Sequence, residues 1–113
     1  MAARLPAHLE VAGLIRAAEA AGGFATVLKS GERDAGTILV VVTHRHETSL
    51  LYERMPNLDG DRRWERTRQQ NTEKQHEFSE YLDRRGKQDP DCWIVELDVA
   101  NGQQFIDSRG TDA

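Results

Sequence analysis

The sequence predicts an α+β domain: a mostly antiparallel sheet of about five strands with two helices, in the order α-β-β-β-β-α-β-(β). Three observations predict it. Thr37-Ile38-Leu39-Val40-Val41-Val42-Thr43 is an unbroken apolar, β-branched run, the pattern of a strand covered on both faces at the centre of a sheet. Cys92 to Leu97 is a second strong strand, with Trp93, Val95 and Leu97 on one face. Segments with helical periodicity lie before and between these strands, and the early strands are joined by short polar links, which favour antiparallel neighbours.

Each element has a local reason. From Leu9 to Ala21, Val11, Leu14, Ile15 and Ala18 form one apolar stripe, and Gly22-Gly23 ends the helix because glycine enters the left-handed region at no cost. Phe24 to Lys29 is a first strand and Ser30 to Asp34 is turn material. After the central run, His44 to Glu47 closes a hairpin into Thr48 to Met55. Pro56 to Asp61 is the strongest loop signal, and Arg62 to Arg66 a weaker strand anchored by Trp64.

Thr72-Glu73-Lys74-Gln75 matches a capping box, opening a second helix with Phe78, Tyr81 and Leu82 on its apolar face. Gly86 and Asp89-Pro90 end it. Asn101-Gly102 is a type I′ turn dipeptide, so Gln104-Phe105-Ile106 is expected to return as a short edge strand. The domain is expected to span 1–107, with 108–113 a frayed tail. If the central strand is buried on both sides, either the helices lie on opposite faces or a second copy supplies cover.

Composition narrows the classes. A chain of 113 residues with 38% hydrophobic content makes one small core, expected to lean on Trp64, Trp93, Phe24, Phe78, Phe105, Tyr52 and Tyr81. The formal net charge of −4 gives no global attraction to nucleic acid. Cys92 is the only cysteine, so no disulfide forms within the chain and a reducing, cytoplasmic setting is expected. No apolar run reaches the ~18 residues of a membrane span.

Several segments recur together in a known family. They are Arg4-Leu5-Pro6, Ala20-Ala21-Gly22-Gly23-Phe24-Ala25, Asp34-Ala35-Gly36, Arg62-Arg63-Trp64-Glu65-Arg66 and Asp89-Pro90-Asp91-Cys92-Trp93-Ile94-Val95-Glu96. In this order, over essentially the whole chain, the sequence resembles a small bacterial family known as domain of unknown function 1491. The resemblance implies a stand-alone, single-domain bacterial protein. It carries over no catalytic residue.

The residues themselves offer few candidate sites. His44 and His46 stand at i, i+2 with Glu47 beside them, a pattern that could hold Zn²⁺, yet no further ligand motif accompanies it and a solvated turn explains it as well. Arg62, Arg63, Arg66 and Arg68 form the densest basic segment, able to grip phosphate or carboxylate with Trp64 as a stacking ring. The competing explanation has Trp64 in the core and the arginines solvating an edge strand. Cys92 lies between acidic neighbours that oppose thiolate formation. Asp89 and Asp91 read as an exposed turn rather than an acid-base pair, and His8 and His76 are isolated.

No catalytic residue and no cofactor are assigned on these grounds. The reading favoured is a small cytoplasmic, non-enzymatic module that binds a protein partner or forms a homodimer. An anionic-ligand or RNA-binding regulator using Arg62 to Arg68 is the alternative, and a metal-assisted hydrolase built on His44 and His46 a third.

Overall fold

The computed structural model describes residues 5–45, 48–56 and 62–108, with the side chains of 55, 56, 62 and 63 outside the description. Its elements are α1 (Ala7–Ala20), β1 (Phe24–Lys29), β2 (Ile38–Thr43), β3 (Leu50–Pro56), β4 (Arg62–Gln69), α2 (Gln75–Gln88), β5 (Trp93–Asp98) and α3 (Gly102–Asp107). The α+β class holds. The sheet runs β1-β5-β2-β3-β4 and is mixed, because β2 and β5 pair in parallel while the other three pairings are antiparallel.

One expected adjacency is corrected here. β1 and β2 are not neighbours, since β5 enters between them. The two most apolar strands thereby lie side by side at the centre, where each has a partner on both edges and cover on both faces. β2 is buried along its length up to Thr43, and Val95 and Leu97 of β5 are fully enclosed.

The cover on β2 comes from within the chain, with the helices on opposite faces. On one face α1 lays Val11, Leu14 and Ala18 against Ile38, Val40, Val42, Tyr52, Trp64, Val95 and Leu97. On the other, Phe78 and Leu82 of α2 cover Leu39, Val41, Leu51 and Ile94. An ion pair between Glu10 and Arg54 ties α1 to β3, and the Arg54 guanidinium lies 4.6 Å from the centroid of the Trp64 ring. α1 ends as expected. Gly22 has φ 84° and the Gly23 amide reaches back to the Ala18 carbonyl at 2.9 Å.

Four further expectations change. Asn101 does adopt the left-handed region (φ 54°), but Gly102 opens α3 instead of an edge strand. The helix lets Ile106 bury fully within the α1-side core, and the Tyr52 hydroxyl donates to Gln103 Oε1 at 2.6 Å. Gly102 is needed because a Cβ there would strike Val42. The capping box is absent: α2 starts at Gln75 behind Lys74, and the Asn71 carboxamide accepts the Glu73 amide at 2.9 Å, turning the chain before the helix begins. Gly86 lies within α2, which continues to Gln88.

The fourth change concerns the core. Phe24 is not part of it. It is 73% exposed, on an outer strand of the sheet.

Candidate functional site

The arginine segment falls along β4, an outer strand. Cross-strand partners share a face, so Arg66, opposite Tyr52, looks to the α1 side, while Arg68, opposite Leu51, looks to the α2 side. Trp64 is buried in the α1-side core. Arg66 and Arg68 thus do not converge, and the side chains of Arg62 and Arg63 lie outside the described residues. Of the histidine pair, His46 and Glu47 also lie outside them. His44 sits just past β2, where Nδ1 is 3.2 Å from Asp98 Oδ1 at the end of β5. No group of three potential metal ligands occurs among the described residues.

Cys92 is buried beneath α2, and burial pushes its thiol above the usual value. Asp89 accepts the Cys92 and Asp91 amides, a turn role.

Sequence spacing did not reveal a polar cluster on the α2 face. Burial alone would raise the Glu53 carboxyl. It is held below the ordinary carboxylate value because Arg85 donates to Oε1 at 2.8 Å and Thr67 to Oε2 at 2.6 Å. Arg85 also donates to the Tyr81 hydroxyl at 2.9 Å, and the Arg68 guanidinium lies 3.7 Å from the Tyr81 ring centroid. These contacts join β3, β4 and α2. The signal was the matching of Arg68 and Tyr81 across elements, which no local period carries.

Three of the segments that carried the family resemblance, at Leu5-Pro6, Asp34-Ala35-Gly36 and Asp89 to Glu96, meet in one seam. The first amides of α1, Ala7 and His8, donate to the Asp34 and Arg33 carbonyls at 2.9 Å each, satisfying orphan helix donors. The link from β1 to β2 crosses the start of β5 so closely that a Cβ on Gly31 or Gly36 would strike the Asp91 carbonyl. Glu32 N donates to Asp91 O at 2.8 Å, and Trp93 Nε1 donates to Glu32 O at 2.7 Å. At the other end of β5, a Cβ on Gly23 would strike Asp98 O. These motifs hold the crossover together. They are structural.

What remains is the outer edge of β1. Five large apolar side chains are exposed among the described residues, and Phe24, Val27 and Leu28 of β1 are three of them, at 73%, 38% and 48%. The strand pairs with β5 alone, leaving its outward backbone groups without a strand partner. A bulge between Val27 and Lys29 inserts Leu28. Leu28 lines a groove of about 420 Å³ between β1 and α2, whose floor includes Leu82 and Ile94 and whose rim carries Lys29, Asp83 and Lys87. Lys29 Nζ donates to the Pro90 and Cys92 carbonyls at 2.7 and 2.8 Å, so its cationic head is fixed by carbonyls at this end of the strand. The sequence names Phe24 readily, but its exposure depends on which strand stands at the edge.

The family model described as protein of unknown function (DUF1491) matches residues 5–107. A crystal structure of a DUF1491 family protein from Caulobacter crescentus CB15 is 36% identical, covers 90% of this chain and 94% of that one, and superposes with a TM-score of 0.79. An NMR structure of a DUF1491 family protein from the same organism is 34% identical, covers 93% and 94%, and gives 0.77. The solution structure of a protein from A. tumefaciens is 31% identical over 92% and 93%, with a TM-score of 0.74. No curated protein matches the chain.

Proposed function

The chain belongs to the DUF1491 family of proteins of unknown function, and we propose that it is a non-enzymatic association module whose working surface is the open edge of β1. To that edge an extended, largely apolar strand of another chain adds, continuing the sheet. The observation that carries this is the exposure of Phe24, Val27 and Leu28 on one outer strand, beside an apolar groove. Main-chain groups of β1 supply affinity for any extended segment, and the groove selects an apolar side chain from it.

The reactive groups support the non-enzymatic part. His44 is engaged with Asp98, Glu53 with Arg85 and Thr67, and Cys92 is enclosed with its thiol raised. No helix among the described residues is long and apolar enough to cross a membrane. A lone buried cysteine suits the reducing cytoplasm, where we place the protein.

A displayed library of extended eight-residue peptides, selected on the full chain, tests the reading. Enriched sequences should be apolar at alternate positions, bind the wild type, and lose at least tenfold in affinity against Thr26→Arg. Binding to Arg66→Glu on the opposite edge should be unchanged. Peptides that bind Thr26→Arg as well as wild type, or no enrichment at all, would refute it.

A further inference from the structure

We infer that the strand received by the β1 edge is β1 of a second copy, in an antiparallel, two-fold pairing that joins two five-stranded sheets into one. The inference rests on the edge-docking reading above and names its occupant.

Three features make the edge self-complementary. The first is register. In an antiparallel pair with the two-fold axis normal to the sheet, residues opposite one another must belong to the same face. Pairing Thr26 with Thr26 of the second copy satisfies this throughout. It sets small Ala25 opposite Val27 on the α1 side and Phe24 opposite Leu28 on the α2 side. The bulge contributes here: Leu28 and Lys29 both oppose Ile94, which belongs to the α2-side core, so Leu28 faces the groove with Phe24's neighbour Thr26.

The second feature is the groove. Leu28 is one of its walls, so a Phe24 placed opposite Leu28 enters it and is removed from water against Leu82 and Ile94. Both copies do this at once, and the two exposed phenylalanines are buried by the same act.

The third is charge. On the α2 side, Lys87 of α2 stands at the groove end of β1 with Asp83 one helical turn away, while the Lys29 head is held by the Pro90 and Cys92 carbonyls. The opposite end is backed by Asp98 across from Phe24, with Glu96 across from Thr26 at the middle of the strand. Antiparallel pairing brings the lysine end of each copy towards the carboxylate end of the other. Asp98 of the second copy then stands two strand spacings, ~10 Å, from Leu28, on the side where Lys87 rims the groove. A parallel pairing would stack like ends together.

The interface is small, so the expected Kd is on the order of 10 µM. Size-exclusion chromatography with light scattering on the full chain, from 1 to 500 µM, reads it directly. The wild type should move from the 12.8 kDa of one chain to twice that mass as concentration rises. Phe24→Glu should stay at the single-chain mass with an unchanged melting temperature, because Phe24 makes no core contact to lose. Arg66→Glu should dimerise like the wild type.

Register is read separately: Thr26→Cys should cross-link as a dimer on mild oxidation, since opposed Cα atoms in antiparallel pairs are ~4.5–5.5 Å apart, within disulfide reach. Glu65→Cys on β4 should not. A wild type that keeps the single-chain mass at 500 µM overturns the second copy as occupant, while peptide binding at the edge stands or falls on its own selection experiment. A dimer that survives Phe24→Glu, or that cross-links through position 65 and not 26, overturns it as well.

Discussion

The two outer strands of this sheet are built to opposite rules. Beyond buried Trp64, β4 exposes Glu65, Arg66, Thr67, Arg68 and Gln69, so a strand approaching it meets charge on both faces. β1 exposes Phe24, Thr26, Val27 and Leu28, and its one charged residue, Lys29, is turned to carbonyls at the far end. Sheet edges invite pairing, and charged side chains are a common means of preventing it. β4 carries that guard and β1 does not. Since both edges belong to one chain, solubility alone does not account for the difference. The unguarded edge is where association is expected.

The largest effect should come from undoing what makes β1 an edge. β1 stands outside β5 because its link to β2 crosses the start of β5 at Gly31, where a Cβ would strike the backbone of Asp91 and Cys92. Backbone cannot swing aside as a side chain can. Gly31→Ala should therefore cost about 3 kcal/mol by chemical denaturation. Unchanged stability would mean the crossing is looser than described. Next comes the exchange of characters between edges. Thr26→Arg gives β1 the guard of β4 and should abolish self-association, a loss of at least ~100-fold in Kd or ~2.7 kcal/mol. The double substitution Arg66→Val and Arg68→Val should make β4 sticky, seen as light-scattering species larger than a dimer.

The centre of the fold was legible because burial on two faces leaves its mark in consecutive residues: Ile38 to Val42 admits no solvent-facing position. α1 was legible for the related reason that its stripe and its terminal glycines are local. The order of strands was not. Local spacing shows that a short link follows β1, but only the need to place β5 beside β2 shows that the link crosses a strand. Asn101-Gly102 misled for a similar reason. The dipeptide did favour a left-handed residue, and the demand to bury Ile106 then decided between strand and helix. Candidate sites fared likewise. Arg66 and Arg68 stand at i, i+2 and look like one patch in sequence, yet the bulge facing Leu51 and Tyr52 turns them to opposite faces, and Phe24 reads as core until its strand is known to be outermost.

Smaller effects should distinguish what ties each outer strand to the body. β1 is held by Lys29 to carbonyls, which do not titrate, whereas β4 is tied through Thr67 to Glu53, which does. The Glu53 carboxyl is held below its ordinary 4.5 in the folded state, so its contribution is full above that pH and disappears as pH falls through the folded value. Glu53→Gln should lose about 1–2 kcal/mol at neutral pH, and the gap from wild type should narrow as pH falls below 4.5. A gap that persists in acid would assign the loss to packing.

The smallest contrast lies within β4. Arg68 rests its guanidinium 3.7 Å from the Tyr81 ring centroid, and Arg66 on the opposite face is exposed. A cation over an aromatic face at a partly exposed site is worth ~0.5–1 kcal/mol, and an exposed arginine away from such a feature close to nothing. Arg68→Ala should therefore lower stability by about that amount and Arg66→Ala should leave it within error, in urea unfolding at moderate salt. Repeating Arg68→Ala with Tyr81→Leu closes a double-mutant cycle, in which the loss at Arg68 should vanish once the ring is gone. If both arginines cost the same, the guard on β4 is uniform solvation, and the stacking on Tyr81 adds nothing to it.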